Sequence, residues 1–337
     1  MIPAKAPLWE LCWRDVLKGA ITRPQQLLSE LDLDADAFAA GFGARRLFAL
    51  RVPRPFVALM EKGNPRDPLL LQVMTAAEEL LDSPGFSADP LKEQQAAVPG
   101  LLHKYPSRVL MVLKGGCAVN CRYCFRRHFP YQDNPGTRAG WQGALDYIAA
   151  HPEVEEVILS GGDPLMAKDE ELAWLIERLN AISHLKMLRI HTRLPVVIPS
   201  RIDQSFLDTL AQSRLPLVMV LHINHGNEIG GDLKKACAAL REAGVTLLNQ
   251  SVLLKDVNDD VDSLVDLSHA LFGAGILPYY LHVLDRVQGA AHFLVEDDRA
   301  KALARALTGR LSGYLVPRLT REVPDRPSKT PLNLDME

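Results

Sequence analysis

From about residue 107 onward, short apolar runs alternate with stretches whose apolar residues recur at helical spacing. The apolar runs lie at 109–113, 154–159, 187–190, 217–221, 245–250 and 279–284. Helical patterns follow them at 141–150, 170–182, 204–213, 233–243, 261–272 and 297–311. Near-continuous apolar strands fit burial on both faces, and strand–helix alternation builds a parallel sheet with helices outside. Six such units predict an α/β fold, a partial (β/α)6 TIM-like barrel over residues 106–313. An open doubly wound sheet has the same texture. In either case the functional loops belong at the carboxyl ends of the strands.

The flanks read differently. Residues 1–105 predict an N-terminal helical region, with helical spacing at 8–17 and 69–81 and turn signals such as Gly63-Asn64-Pro65 and Ser83-Pro84-Gly85 between and after them. Trp9, Trp13 and Cys12 read there as packing residues, and no chemistry is evident. Residues 314–337 carry prolines at 317, 324, 327 and 331 and read as an irregular segment laid across the barrel mouth.

Polar residues gather at the predicted strand ends. Cys117 to Arg127 follows the first strand, and Ser160-Gly161-Gly162-Asp163 follows the second. His191-Thr192-Arg193, then His222 and His225 to Glu228, then Asn249-Gln250-Ser251, then Asp285-Arg286 follow the others. Six polar loops on one rim predict an assembled site.

Composition narrows the field. The chain has 337 residues, 47% hydrophobic and 23% charged, with formal net charge −3. That is ordinary globular usage, and near-neutral charge argues against a nucleic-acid surface. No apolar run approaches the ~18 residues of a membrane span, and the amino terminus lacks a secretory core. Five cysteines, three of them clustered, fit a reducing cytoplasm and a metal site better than a disulfide framework.

The cluster is Cys117, Cys121 and Cys124, spaced C-x3-C-x2-C. Soft thiolates favour iron–sulfur, zinc or cuprous copper. Three rather than four ligands leave one metal position open, as in catalytic sites. A zinc site completed by His128 is the alternative from spacing alone.

In this context the chain resembles the radical S-adenosylmethionine (SAM) superfamily. Cys117 to Arg127 and Ser160 to Pro164 carry the resemblance, and it is similar to the lysine 2,3-aminomutase family in particular. The resemblance covers roughly residues 90–331. It implies a radical SAM core whose 4Fe-4S cluster is held by Cys117, Cys121 and Cys124, with the open iron chelating SAM. It places Ser160, Gly161, Gly162, Asp163 and Gln250 at SAM, the glycines because a missing Cβ permits close backbone approach.

A lysine in a proline-rich tail is ordinarily solvated surface, but Lys329-Thr330-Pro331 is similar to the segment carrying the pyridoxal 5′-phosphate (PLP) lysine. Such an amine forms a Schiff base with PLP. The resemblance further implies that Arg126 pairs with the carboxylate of L-lysine, a bidentate contact suited to guanidinium. Asp285 and Glu322 would take its far ammonium. For either carboxylate the plain alternative is a surface ion pair worth ~0–1 kcal/mol.

Two departures point to a short branch. Asp325-Arg326-Pro327-Ser328 replaces a glycine-rich run, and the chain ends eight residues after Lys329 (337 − 329). Both resemble enzymes that make (R)-β-lysine for elongation factor P, which a partner ligase attaches. A one-electron reductant such as flavodoxin or ferredoxin is implied, and a homo-oligomer is left open. Competing readings are an aminomutase for another amino acid such as glutamate, and a non-enzymatic zinc module docking on a translation factor.

Overall fold

In the computed structural model, residues 11–94, 96–134 and 136–334 are described; Trp9 lies outside them. All six expected strands form: β2 (Arg108–Lys114), β3 (Glu156–Gly161), β4 (Met187–Thr192), β5 (Leu217–Leu221), β6 (Thr246–Val252) and β7 (Leu277–His282). The six expected helices also form, at Arg138–Ala150, Asp169–Asn180, Gln204–Leu210, Gly231–Glu242, Val261–Gly273 and Asp297–Arg310. Thr137, Asp203 and Asp260 cap three of them by accepting from backbone N–H groups in the first turn.

Three strands went unforeseen. β1 (Leu101–Tyr105) pairs antiparallel with β2, so the supposed helical region ends in a sheet strand. β8 (Arg318–Arg321) adds a seventh parallel strand beside β7, and β9 (Thr330–Pro331) turns back antiparallel on β8. The tail is irregular over 322–329 as expected, but two short strands on either side make it a second sheet edge. Short strands next to proline give no alternation long enough to read, and the sheet supplies their hydrogen bonds instead.

Strand order is sequential from β1 to β9, and β1 and β9 are not paired with each other. The sheet is therefore a barrel left open along one side. Its core joins Leu113, Leu159, Ile190, Met219 and Leu247 from the strands to Leu145, Leu175, Phe206 and Leu240 from the helices, all buried.

The amino-terminal part is less regular than its apolar spacing predicts. It forms Trp13–Lys18, Pro24–Glu30 and a long 3-10 stretch at Asp36–Arg46. Residues 69–81 break into Pro68–Leu71 and Ala77–Leu80. Trp13 is buried as expected, with the Arg201 guanidinium 4.8 Å from its ring centre. Cys12 is exposed rather than packed, because it precedes the first helical turn and faces out. Cys237 is buried in the core. Among the described residues, no helix is long and apolar enough to cross a membrane.

Candidate functional site

One cavity opens at the carboxyl ends of the parallel strands and reaches the open side of the barrel. Its wall includes Cys117, Cys121 and Cys124, Ser160 to Asp163, His191 to Leu194, His222, Gln250 and Asp285, with Glu322 and Lys329 from the tail. All six predicted loops contribute. The tail reaches the cavity beside Lys104 and Tyr105 of β1.

The amino-terminal region clamps the cysteine loop from outside. Arg51 donates to the Cys117 carbonyl at 3.1 Å, and the Asn120 side chain donates to the Ala49 carbonyl at 2.8 Å. The loop's own Arg122 is fully buried; it donates to Glu79 and to the Phe48 carbonyl. Arg127 shares the same Glu79 carboxylate at 2.8 Å. Glu79, opposed by burial but held by two guanidiniums, stays below the usual carboxylate range.

Burial and the charge of neighbouring thiols push Cys117 and Cys124 up, Cys124 to about 11. Thiolates here need a cation to hold them. Among the described residues, no three His, Cys, Asp or Glu side chains are grouped to hold a metal ion. The three thiols instead share one cavity wall, which suits a cube that takes one thiolate per iron. His128 is not on that wall; its Nε2 lies 3.3 Å from the Gln288 carbonyl.

The glycine pair lines the cavity and also packs against the cysteine loop. Gly161 has φ +124°, and a Cβ there would sit 2.6 Å from the Lys114 carbonyl oxygen. At Gly162 a Cβ would meet the Gly116 carbonyl oxygen at 2.6 Å. Their missing side chains let β3 press against the segment entering the cysteine loop. The Gly162 and Asp163 N–H groups donate to the Lys114 and Gly116 carbonyls, locking the two loops together.

Asp163 is buried, and its carboxylate accepts from Thr192 Oγ1 and from the N–H groups of Leu165, Arg193 and Leu194. That side chain is occupied by the protein and joins the β3 and β4 loops. Ser160 Oγ accepts from Arg126 Nη1 at 3.0 Å, and Gln250 Nε2 lies 3.2 Å from His222 Nε2.

Arg126 is more committed than the sequence implies. Its Nε and Nη2 donate to Glu93 at 2.6 and 3.2 Å, and Nη1 donates to Ser160 and to the Gly161 carbonyl. Of five guanidinium N–H groups, about one remains. Glu93 also accepts from Lys104 at 2.8 Å. Burial opposes its charge, but Arg126 and Lys104 bring it down to about 2.

Lys329 Nζ donates to Glu322 Oε2 at 2.7 Å and lies 5.7 Å from the centre of the Tyr280 ring. Tyr105 donates to the other Glu322 oxygen. Lys329, aided by Tyr105, keeps Glu322 below the usual range against its burial. Asp285 goes the other way: burial raises it to about 7, with Lys329 opposing and Glu322 adding to the rise. His191, His222 and His282 are all held neutral by burial, His222 at about 3. His191 Nε2 is buried with no partner among the described residues, an acceptor or donor left for whatever fills the cavity.

Sequence reasoning missed Glu93, Tyr105, Gln72 and the part played by Arg193. Glu93, Tyr105 and Gln72 sit in no motif; Arg193 was read on the rim, but its bond to Cys121 joins segments that the sequence alone does not bring together.

The radical SAM superfamily model matches residues 111–267. The chain is 59% identical over 325 residues to L-lysine 2,3-aminomutase of Escherichia coli strain K12, covering 96% of this chain and 95% of that one. It is 60% identical over 319 residues to the L-lysine 2,3-aminomutase of Haemophilus influenzae, with 94% of each covered. The protein of that name from Clostridium subterminale is 34% identical over 322 residues, 95% of this chain and 77% of that one. These matches overturn the non-enzymatic zinc module. The chain belongs to the L-lysine 2,3-aminomutase family of radical SAM isomerases.

Proposed function

We propose that this protein is a PLP-dependent radical SAM lysine 2,3-aminomutase that converts L-lysine to (R)-β-lysine for the modification of elongation factor P. The observation that carries the reading is a coincidence in space. Lys329, from the end of the chain, lines the same cavity as Cys117, Cys121 and Cys124, with two carboxyl groups nearby.

The three thiolates would hold a 4Fe-4S cluster. The backbone at Gly161 and Gly162, with Ser160, Gln250 and neutral His222, forms the wall beside it and would hold SAM. Lys329 would hold PLP, and Arg108, which lines the cavity with its guanidinium 4.2 Å from the Tyr105 ring, offers positive charge for the phosphate. When bound, these groups supply hydrogen-atom abstraction and a carrier for the migrating nitrogen; the protein supplies orientation and a dry cavity.

The chain's own charges would orient the substrate. Arg126, held by Glu93, offers its remaining N–H to the α-carboxylate. Asp285 and Glu322 provide anions for the distant ammonium. Lys329 as a free amine pairs with Glu322 at 2.7 Å, so it would share that carboxylate with the substrate's distant ammonium. An aminomutase for glutamate would need a cation in place of these two carboxylates. The cytoplasm, a flavodoxin- or ferredoxin-like reductant, and hand-over of the product to a ligase acting on elongation factor P complete the proposal.

The test is anaerobic. The protein is reconstituted with iron and sulfide, then given PLP, SAM, a one-electron reductant and L-lysine; L-glutamate is run in parallel with Lys329→Ala. The expected result is β-lysine from the parent, none from the variant and no turnover of glutamate. SAM cleavage without β-lysine would overturn the substrate assignment. β-Lysine formation undiminished in Lys329→Ala would overturn the PLP lysine. A purified factor and ligase that take up no radiolabel from the product would remove the link to elongation factor P.

A further inference from the structure

We propose that Arg193 is a positioning residue for the iron–sulfur cluster, acting through Cys121 to raise its reduction potential; this rests on the reading of the three cysteines as cluster ligands. Arg193 Nη1 donates to Cys121 Sγ at 2.8 Å. The same nitrogen contacts Tyr123 Oη. Nη2 donates to Gln72 Oε1 at 2.7 Å and to Glu228 Oε2 at 2.9 Å. The Arg193 backbone N–H is fixed by Asp163 at 2.8 Å. The guanidinium is thus held from the amino-terminal region, the cysteine loop and the β5 loop, and the backbone behind it from the β3 loop.

The site is costly to build. Arg193 is 6% exposed and Glu228 0% exposed. A buried ion pair of this kind is commonly no more stabilising than apolar side chains of similar volume. Glu228 itself is held by Gln72 and by the N–H groups of Asn224 and His225. Asn224 also donates to Tyr123 and Gln72. A neutral shell would pack the same space without desolvating two charges. What the charged shell adds is a permanent cation whose N–H points at a ligand sulfur. A guanidinium cannot lose its charge at any accessible pH.

The sign follows from charge. Accepting an electron makes the cluster and its thiolates more negative. A charge-assisted N–H···S bond stabilises that reduced form more than the oxidised one, so the potential rises. Hydrogen bonds around the ligands are a recognised lever on cluster potential. Glu228 offsets part of the effect, but the guanidinium lies between it and the sulfur. Arg193 Nε, buried and without a partner among the described residues, leaves one more donor on this wall of the cavity.

The experiment compares the reconstituted full-length protein with Arg193→Lys, Arg193→Met and Glu228→Gln. Iron and sulfide content are measured first. The midpoint potential is then read by anaerobic titration, following the electron paramagnetic resonance signal of the reduced cluster without substrate. The expected result is a full iron complement with a midpoint shifted negative in Arg193→Met, and by a smaller step in Arg193→Lys. Glu228→Gln should shift it positive, since the guanidinium then acts unopposed. A wild-type midpoint and signal in an iron-loaded Arg193→Met would overturn the inference. If that variant holds no iron, Arg193→Lys decides, and an unshifted midpoint there overturns it equally. Failure of the parent to form any cluster would instead sink the cluster reading and this inference with it.

Discussion

Glu93 fills the side of the Arg126 guanidinium that a second carboxylate would otherwise take, with Oε2 2.6 Å from Nε and Oε1 3.2 Å from Nη2. The arginine comes from the cysteine loop and the glutamate from the segment before β1. Lys104 donates to the same Oε1 at 2.8 Å and lies 3.9 Å from Glu322, which pairs with Lys329. Alternating charges therefore run along the cavity from Arg126 to Lys329.

Glu93→Gln should loosen the arginine without removing it. The Michaelis constant for lysine should rise about tenfold while kcat changes less, the pattern of lost uniform binding. Steady-state kinetics over a range of lysine concentrations check this. A fall in kcat with an unchanged Michaelis constant would count against Arg126 as the carboxylate partner.

The same residue should shape the acid limb of stability. The Glu93 carboxyl sits at about 2 in the folded protein against 4.5 ordinarily. A depressed carboxyl contributes stability that is full above the unfolded value and lost as pH falls toward the folded one. The window is therefore pH 4.5 to about 2, and the contribution is about 3 kcal/mol. Urea unfolding of the apoprotein at pH 6 and pH 3 should show a smaller loss for Glu93→Gln than for the parent. Equal losses would mean that Arg126 does not hold the charge.

Burial raises the Asp285 carboxyl to about 7. It must be ionised to attract an ammonium group, so lysine binding should weaken as pH falls below about 7. Asp285→Asn should weaken binding at least tenfold at pH 8 and flatten the pH dependence between 6 and 8. A parent whose binding is already flat over that range would contradict this assignment.

Gly161→Ala brings a Cβ to 2.6 Å from a backbone carbonyl at a φ of +124°. Both the clash and the backbone region are costly, of order 2–4 kcal/mol together. A thermal melt should fall by several degrees and iron retention should drop. A melt unchanged within about one degree would show that β3 and the cysteine loop can separate freely.

Glu79→Ala strands two buried guanidiniums, those of Arg122 and Arg127. Removing the shared partner of a buried ion network costs roughly 3–5 kcal/mol. Denaturant unfolding measures this, and a change below about 1 kcal/mol would mean that the cysteine loop does not depend on the amino-terminal clamp.

Much of this protein was legible in its residues. The alternation of apolar runs and helical stretches determined the six strands, the six helices and the rim on which polar loops gather, because period and burial are local properties of the chain. C-x3-C-x2-C and the following Ser-Gly-Gly-Asp stretch marked the cavity wall for the same reason. β1, β8 and β9 were not legible, since strands of two to five residues acquire their hydrogen bonds only from neighbours already in the sheet.

The pairings were decided by tertiary structure alone. Glu93 with Arg126 and Arg193 with Cys121 join segments 33 and 72 residues apart. The two glycines could be read as permissive backbone, but whether they face a ligand or another strand depends on what packs against them. The same holds for Asp163, an acidic group at a strand end that the fold spends on four donors of its own. A sequence lists which charges are available. Which of them neutralise one another, and which remain for a substrate, is fixed by burial: desolvation makes an unpaired charge too costly to leave, and only the folded chain brings the partner within reach.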